Sequence, residues 1–324
     1  MSHAKKFGQP RLSGSKAGFA GRELLVDALR HQPIPGFEIT GTLGKGGMNT
    51  VHLARDSSGR EVALKLLRKR EEGDEFFHLN HWFVRECAAT MILSHPNIVS
   101  ALAFGNTEEY LYLSMERLDG KPLYRYIKRF GGLDWATTRS VMIGVLGGLE
   151  EMHQAGVIHR DLKPENIVVF PTRDGPRNPK IIDFGLCHID GFSDFWPSLA
   201  SDIPVPARVT PAGASFATPE FRAPEFRLDG ATHSPAVDIY AAGLTFYNTV
   251  AGRLPFVIQA LQDPGERSAY YANIHSHLVF PHPVILSPHC ELPERAGEVL
   301  MSAIEKEPSS RPTAAEMRRI IESC

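Results

Sequence analysis

The chain has 324 residues, enough for two packed lobes or two small domains. Its 43% hydrophobic and 22% charged residues suit an ordinary soluble globular protein, and a formal net charge of -2 argues against nucleic-acid binding by bulk electrostatics. Four scattered cysteines (Cys87, Cys187, Cys290, Cys324) with no CxxC pair argue against a disulfide frame or a zinc site and read as reduced cytosolic thiols.

The basic, Gly-rich N-terminus lacks an apolar signal core. Residues 1–35 are expected to form a flexible leader that carries a short amphipathic helix. Leu24, Leu25, Ala28 and Leu29 share one helix face, Arg22, Glu23, Asp27 and Arg30 lie outside it, and Pro33 and Pro35 stop it. Two readings stay open: the helix docks on the following domain, or it takes a partner.

Strand patterns follow over Phe37–Ile39, Thr50–Ala54 and Glu61–Leu67, separated by turns at Gly44–Gly47 and Ser57–Gly59. The glycines of Gly44-Lys45-Gly46-Gly47-Met48-Asn49-Thr50-Val51 would let a hairpin close over phosphates, although such a hairpin is most often just a turn. Lys65 ends an apolar strand run, where its charge needs either a partner or a path to the surface. A helix pattern spans about Phe76–Leu93, with Glu86 inside it, and strands fit Val99–Phe104 and Tyr110–Glu116.

After Asp119-Gly120 the chain turns helical: Leu123–Phe130, Trp135–Ala155, Val237–Gly252 and Ala296–Glu305. The apolar stretches Val141–Leu149 and Ile239–Val250 are too short to cross a membrane. His275, His277, His282, His289 and Cys290 cluster loosely, with no zinc-ligand spacing.

The most specific string is His159-Arg160-Asp161-Leu162-Lys163-Pro164-Glu165-Asn166, followed seventeen residues later by Asp183-Phe184-Gly185. Phosphoryl transfer needs a carboxylate to take a hydroxyl proton, and hard oxygen donors for a metal held jointly with phosphates. Asp161, Asn166 and Asp183 supply those groups. Singly, Asp161 could equally be a turn cap and Asn166 an Asx-turn residue.

These strings, with Val62-Ala63-Leu64-Lys65 before them and Thr218-Pro219-Glu220-Phe221-Arg222-Ala223-Pro224-Glu225 after, resemble eukaryotic-type protein kinases of the Ser/Thr branch. The likeness runs from about Phe37 to about Ser323. It implies an α+β, two-lobed protein kinase fold. A small N-lobe of antiparallel sheet plus one helix would cover about 36–116, and a larger, mainly helical C-lobe about 117–324.

The resemblance implies that Lys65 contacts ATP phosphates and is held by Glu86, that Asp161 orients the acceptor hydroxyl, and that Lys163 offsets charge. Asn166 and Asp183 would hold Mg²⁺, with Mn²⁺ as the alternative ion. Leu43, Gly44, Lys45, Gly46, Gly47, Asn49 and Val51 would cover the nucleotide, Asn49 standing where the family has a third glycine. Ala63, Met115, Glu116 and Leu118 would border the adenine, Met115 at the back pocket. Asp238 would tie down the catalytic loop, and Arg311 would pair with Glu225.

Arg160 and His188 would face a loop phosphate, for which Thr210 and Ser215 are the nearest hydroxyls; Ala212 or Ala214 stands where close relatives carry one. The rival is a loop stiffened by Pro197, Pro204, Pro206 and Pro211. Glu165 would favour a basic substrate residue, and Cys187 is expected to be inert. The implied activity is transfer of the ATP γ-phosphate to Ser/Thr hydroxyls of protein substrates, with autophosphorylation, in the cytoplasm and without nucleic acid or membrane insertion. The alternatives are a pseudokinase scaffold and a small-molecule kinase; the segment Thr218–Glu225 speaks against the latter.

Overall fold

The computed structural model describes residues 34–45, 50–69, 74–192, 219–227, 234–256 and 291–324, with isolated residues between 257 and 290. Several expectations therefore lie outside the described residues. They are the leader helix, Gly46, Gly47 and Asn49, the histidine cluster with Cys290, and the loop hydroxyls Thr210, Ser215 and Thr218.

The first lobe is built on five antiparallel strands: β1 (Phe37–Lys45), β2 (Thr50–Asp56), β3 (Glu61–Arg68), β4 (Ala101–Asn106) and β5 (Tyr110–Glu116). Their order is β1-β2-β3-β5-β4, which puts β3 in the centre. Alternation along β3 then divides its side chains between two faces. Val62, Leu64 and Leu66 pack with Ile34, Ile39 and Ala54 on one face. Ala63, Lys65 and Leu67 point the other way, and Leu67 joins the main core. A lysine is thus turned inward on a central strand, opposite Val51 of β2 and Leu113 of β5.

Helix α1 (Asp74–Ile92) packs on that inner face, and every residue from Trp82 to Thr90 is buried. It starts two residues before the expected Phe76. Strand β4 starts at Ala101 rather than Val99, because Val99 N–H is drawn to Ile181 O at 3.0 Å and Ser100 N–H to Glu116 Oε1 at 2.8 Å.

The second lobe is mainly helical. It holds α2 (Leu123–Phe130), α3 (Trp135–Gln154), α4 (Ala236–Ala251), α5 (Glu294–Ala303) and α6 (Ala314–Ser323). Helix α3 begins at Asp134, whose side chain accepts from Thr137 N–H at 2.8 Å, satisfying an N-terminal donor. Gly144 allows its close approach to the strands: a Cβ there would sit 2.5 Å from the Pro179 ring. Helix α4 is nearly all buried and stops at Gly252, whose φ of 70° suits glycine.

Between α3 and α4 runs a ladder the sequence reading did not anticipate. Strands β8 (Ile167–Thr172) and β9 (Gly175–Ile181) form a hairpin, with β6 (Lys121–Pro122) beside β8. Two-residue strands β7 (Val157–Ile158) and β10 (His188–Ile189) pair as well. Helix α6 was also not anticipated. One continuous core runs through both lobes, from Leu67, Phe83 and Cys87 to Leu146, Ile181 and Phe184. That core fixes the facing surfaces on which the polar site is built.

Candidate active site

Two polar clusters meet where the lobes join. In the first, Lys65 of β3 lies 2.5 Å from Glu86 Oε1 of α1 and 3.0 Å from Asp183 Oδ1. Burial works against the Lys65 ammonium, but the Glu86 and Asp183 carboxylates outweigh it and raise its pKa. Burial pushes the Glu86 carboxyl up, against the pull of Lys65. Asp183 differs: Lys65 first, and then its hydrogen bond, hold it below the ordinary carboxylate range. Its side chain is 49% exposed, so it faces the cleft rather than the core.

In the second cluster Lys163 Nζ donates to Asp161 Oδ2 at 2.7 Å. Asn166 Nδ2 donates to the same oxygen at 3.1 Å and to Asp161 O at 2.9 Å. With its nitrogen committed, the amide oxygen of Asn166 is the atom suited to a hard cation. The clusters adjoin, since the charge of Lys163 also lowers the Asp183 pKa.

The loop carrying Asp161 is strained and tied. Arg160 and Asp183 both have φ of 67°, a conformation costing a side-chain-bearing residue about 1–2 kcal/mol. Asp238, buried at the start of α4, offsets this by accepting from His159 N–H and Arg160 N–H, each at 2.8 Å. Burial would raise the Asp238 pKa, but the His153 hydrogen bond at 3.0 Å and the loop amides leave it lowered. The His159 ring accepts from Asp161 N–H at 3.2 Å and reaches Ile182 O at 3.2 Å, which makes Nε2 the protonated nitrogen. Its ring also lies 5.2 Å from Phe184.

The strands bring together the residues expected around the nucleotide. Val51 stands opposite Lys65, and Ala63 opposite Met115. Leu43 is exposed, Gly44 opposes Val51, and the Lys45 backbone pairs with Thr50. Met115 and Leu118 both pack against the core. Glu116 N–H is taken by Ser100 O at 3.0 Å, and its carboxylate holds Lys180 of β9 at 2.7 Å.

Arg311 donates to both Glu225 oxygens, at 2.6 and 2.9 Å, and to the carbonyls of Ala236, Glu305 and Lys306, which occupies all five N–H groups. Cys187 is buried and its thiol is pushed up to about 12, in keeping with the inert reading.

Sequence reasoning missed Arg85, Lys180 and Arg222. Arg85 precedes Glu86, is buried, reaches Cys187 O at 3.4 Å and lies over the Phe192 ring. With burial, its charge lowers the Arg160 pKa to about 10. The partners of Arg85 and Lys180 are far off in the chain, so no local spacing announces those two, whereas Arg222 lies over the ring of Phe226, four residues on. Among the described residues, no group of three or more His, Cys, Asp or Glu could hold a metal ion. A cation at Asn166 and Asp183 thus needs further donors, which suits an ion shared with phosphates.

The family model described as "Protein kinase domain" matches residues 37–320. The chain is 33% identical over 282 residues to "Serine/threonine-protein kinase pkn3" of Myxococcus xanthus, covering 86% of this chain and 48% of that protein. It is 29% identical over 281 residues to "Serine/threonine-protein kinase PrkC" of Bacillus subtilis, covering 86% and 39%. "Sperm motility kinase 2A" of Mus musculus is 30% identical over 288 residues, covering 87% and 48%. The chain thus spans about half the length, or less, of these relatives.

Proposed function

The chain belongs to the protein kinase domain family, and from that premise we propose that it is a serine/threonine protein kinase moving the γ-phosphate of ATP to protein hydroxyls. The observation that carries this reading is Asp161 held by Lys163 and Asn166 beside the Lys65–Glu86–Asp183 cluster.

In the reaction Asp161 aligns the acceptor hydroxyl and receives its proton as the oxygen attacks. Lys163, already within 2.7 Å of that carboxylate, offsets charge on the moving phosphoryl group. Glu86 fixes the Lys65 ammonium for the nucleotide phosphates, and the strand residues Val51, Ala63 and Met115 bound the adenine. Asn166 and Asp183 fit Mg²⁺ or Mn²⁺, which when bound neutralises phosphate charge.

The Ser/Thr assignment rests on Lys163 in the catalytic loop and on the printed names of the relatives. A scaffold that has lost catalysis has no observation in its favour, since Lys65, Glu86, Asp161, Lys163, Asn166 and Asp183 are all present in the chain. No helix among the described residues is long and apolar enough to cross a membrane. The free, buried thiols Cys87 and Cys187 support a reducing, cytoplasmic setting. Docking of a partner on the Leu24–Leu29 helix, and loop phosphorylation at Thr210 or Ser215, rest on sequence alone.

Incubation with γ-labelled ATP, Mg²⁺ and a generic protein substrate tests the reading by hydrolysis and phosphoamino-acid separation. Label is expected on serine and threonine. Label on tyrosine alone, or none on protein, would overturn it.

A further inference from the structure

Helix α2 carries a concentration of charge that catalysis does not use. Leu123 and Ile127 face the core, while Arg125, Lys128, Arg129 and Phe130 are exposed, as is Lys121 just before the helix. Four cations thus share one surface on a chain whose formal net charge is -2. Among the described residues none of the four forms an ion pair. The flanking carboxylates are engaged elsewhere: Asp119 lies 3.6 Å from Arg117, and Asp134 caps α3. Glu165, exposed on the adjoining turn, sets one carboxylate against four cations.

The helix alone does not account for these charges. Lys128 and Arg129 stand in its last turn, where positive charge suits the helix dipole. Lys121 and Arg125 stand at the opposite end, where the dipole disfavours them. Two guanidiniums are also set on rings, Arg125 at 5.9 Å from the Tyr124 centroid and Arg129 at 5.3 Å from the Phe130 centroid. A guanidinium steadied in this way presents its planar fork to carboxylates with less freedom left to lose.

The surface adjoins the catalytic loop. Helix α2 packs on the turn Pro164–Asn166, and β6, which contains Lys121, pairs with β8, the strand that leaves Asn166. Asn166 in turn holds Asp161. A protein bound along α2 is therefore kept beside Asp161 without occupying it. Nucleic acid is the weaker match, because the chain as a whole is not basic.

We propose that this face of α2 is a docking surface for an acidic segment of protein substrates, separate in their sequence from the acceptor Ser or Thr. The proposal rests on the kinase reading and names its substrate class. Exposed ion pairs are individually weak and screened by salt, so several acting together correspond to about a tenfold gain in affinity at low salt.

The test uses a serine peptide joined through Gly-Ser linkers of several lengths to a block of glutamates, glutamines or lysines, read as separate kcat and KM. Wild type is expected to show a KM about tenfold lower with the glutamate block than with the glutamine block, at equal kcat, and to lose that gain at high salt. Arg125→Gln, Lys128→Gln and Arg129→Gln combined should abolish the gain and leave kinetics on the glutamine peptide unchanged, which also shows that the variant is folded. The three residues changed to Glu should move the gain to the lysine block. Equal KM for the glutamate and glutamine peptides in wild type at every linker length, or a gain that survives the combined Gln variant, would overturn the proposal and leave the kinase reading standing. Binding of phosphatidylserine vesicles without a gain from the glutamate block would assign the face to a membrane surface and overturn it as well. No transfer to any peptide or to a generic protein would overturn the kinase reading, and the proposal with it.

Discussion

Lys65 shows how a residue's role is set by what surrounds it. On a strand it could have snorkelled to solvent, but the central position of β3 turns it inward, where Glu86 and Asp183 keep it charged. Glu86→Gln keeps the shape of the pair and removes its charge. Misplacement of the ammonium by about 1 Å is expected to lower kcat by about 100-fold, measured by steady-state kinetics. A kcat within twofold of wild type would show that Lys65 needs no carboxylate on α1. Asp161 and Asn166 were legible in the sequence because they share one local string, and Asp183 because its own short string follows at a fixed distance. Arg85 and Lys180 were not, since their partners lie on elements far away in the chain.

The elements were legible where periodicity is strong. Strands β2 and β3 and helices α2 and α3 fell close to their expected spans, because alternation and Asp134 mark them, whereas β1 runs on from Ile39 through Gly44 to Lys45, into the expected turn. Helix α6 was missed although a capping box announces it: Thr313 Oγ1 accepts from Glu316 N–H, and Glu316 Oε2 accepts from Thr313 N–H. The β8–β9 hairpin was missed because Pro171, Pro176 and Pro179 break the strand pattern. Between elements, Arg311 clamps the segment around Glu225 to the start of α4 and to the carbonyls just after α5. Arg311→Ala would leave Glu225 unpaired and is expected to destabilise the protein by about 3 kcal/mol, read from denaturant midpoints. A loss below about 1 kcal/mol would mean that the clamp is dispensable.

Across the whole molecule, one core passes between the lobes and holds the two charged clusters against each other. That arrangement makes stability depend on pH at both ends. Asp183 and Asp238 have lowered pKa values, so their contribution is present above the unfolded value of about 3.9 and is lost as pH falls through their folded values. Lys65 is raised, so its contribution is full below the unfolded value of about 10.4 and is lost as pH rises through its folded value. Thermal unfolding from pH 7 to 3 should therefore show a steep loss below about pH 4, shallower in Asp238→Asn. Parallel acid profiles for the two proteins would remove Asp238 from the explanation.

The most direct measurement of the chemistry is the intact mass of the protein after incubation with Mg-ATP, wild type beside Asp161→Ala. Loss of the aligning carboxylate should slow transfer at least about 100-fold. Wild type should gain whole phosphate masses while the variant stays unmodified with its ATP binding intact. Equal gains in both proteins would contradict the role given to Asp161 and the mechanism built on it.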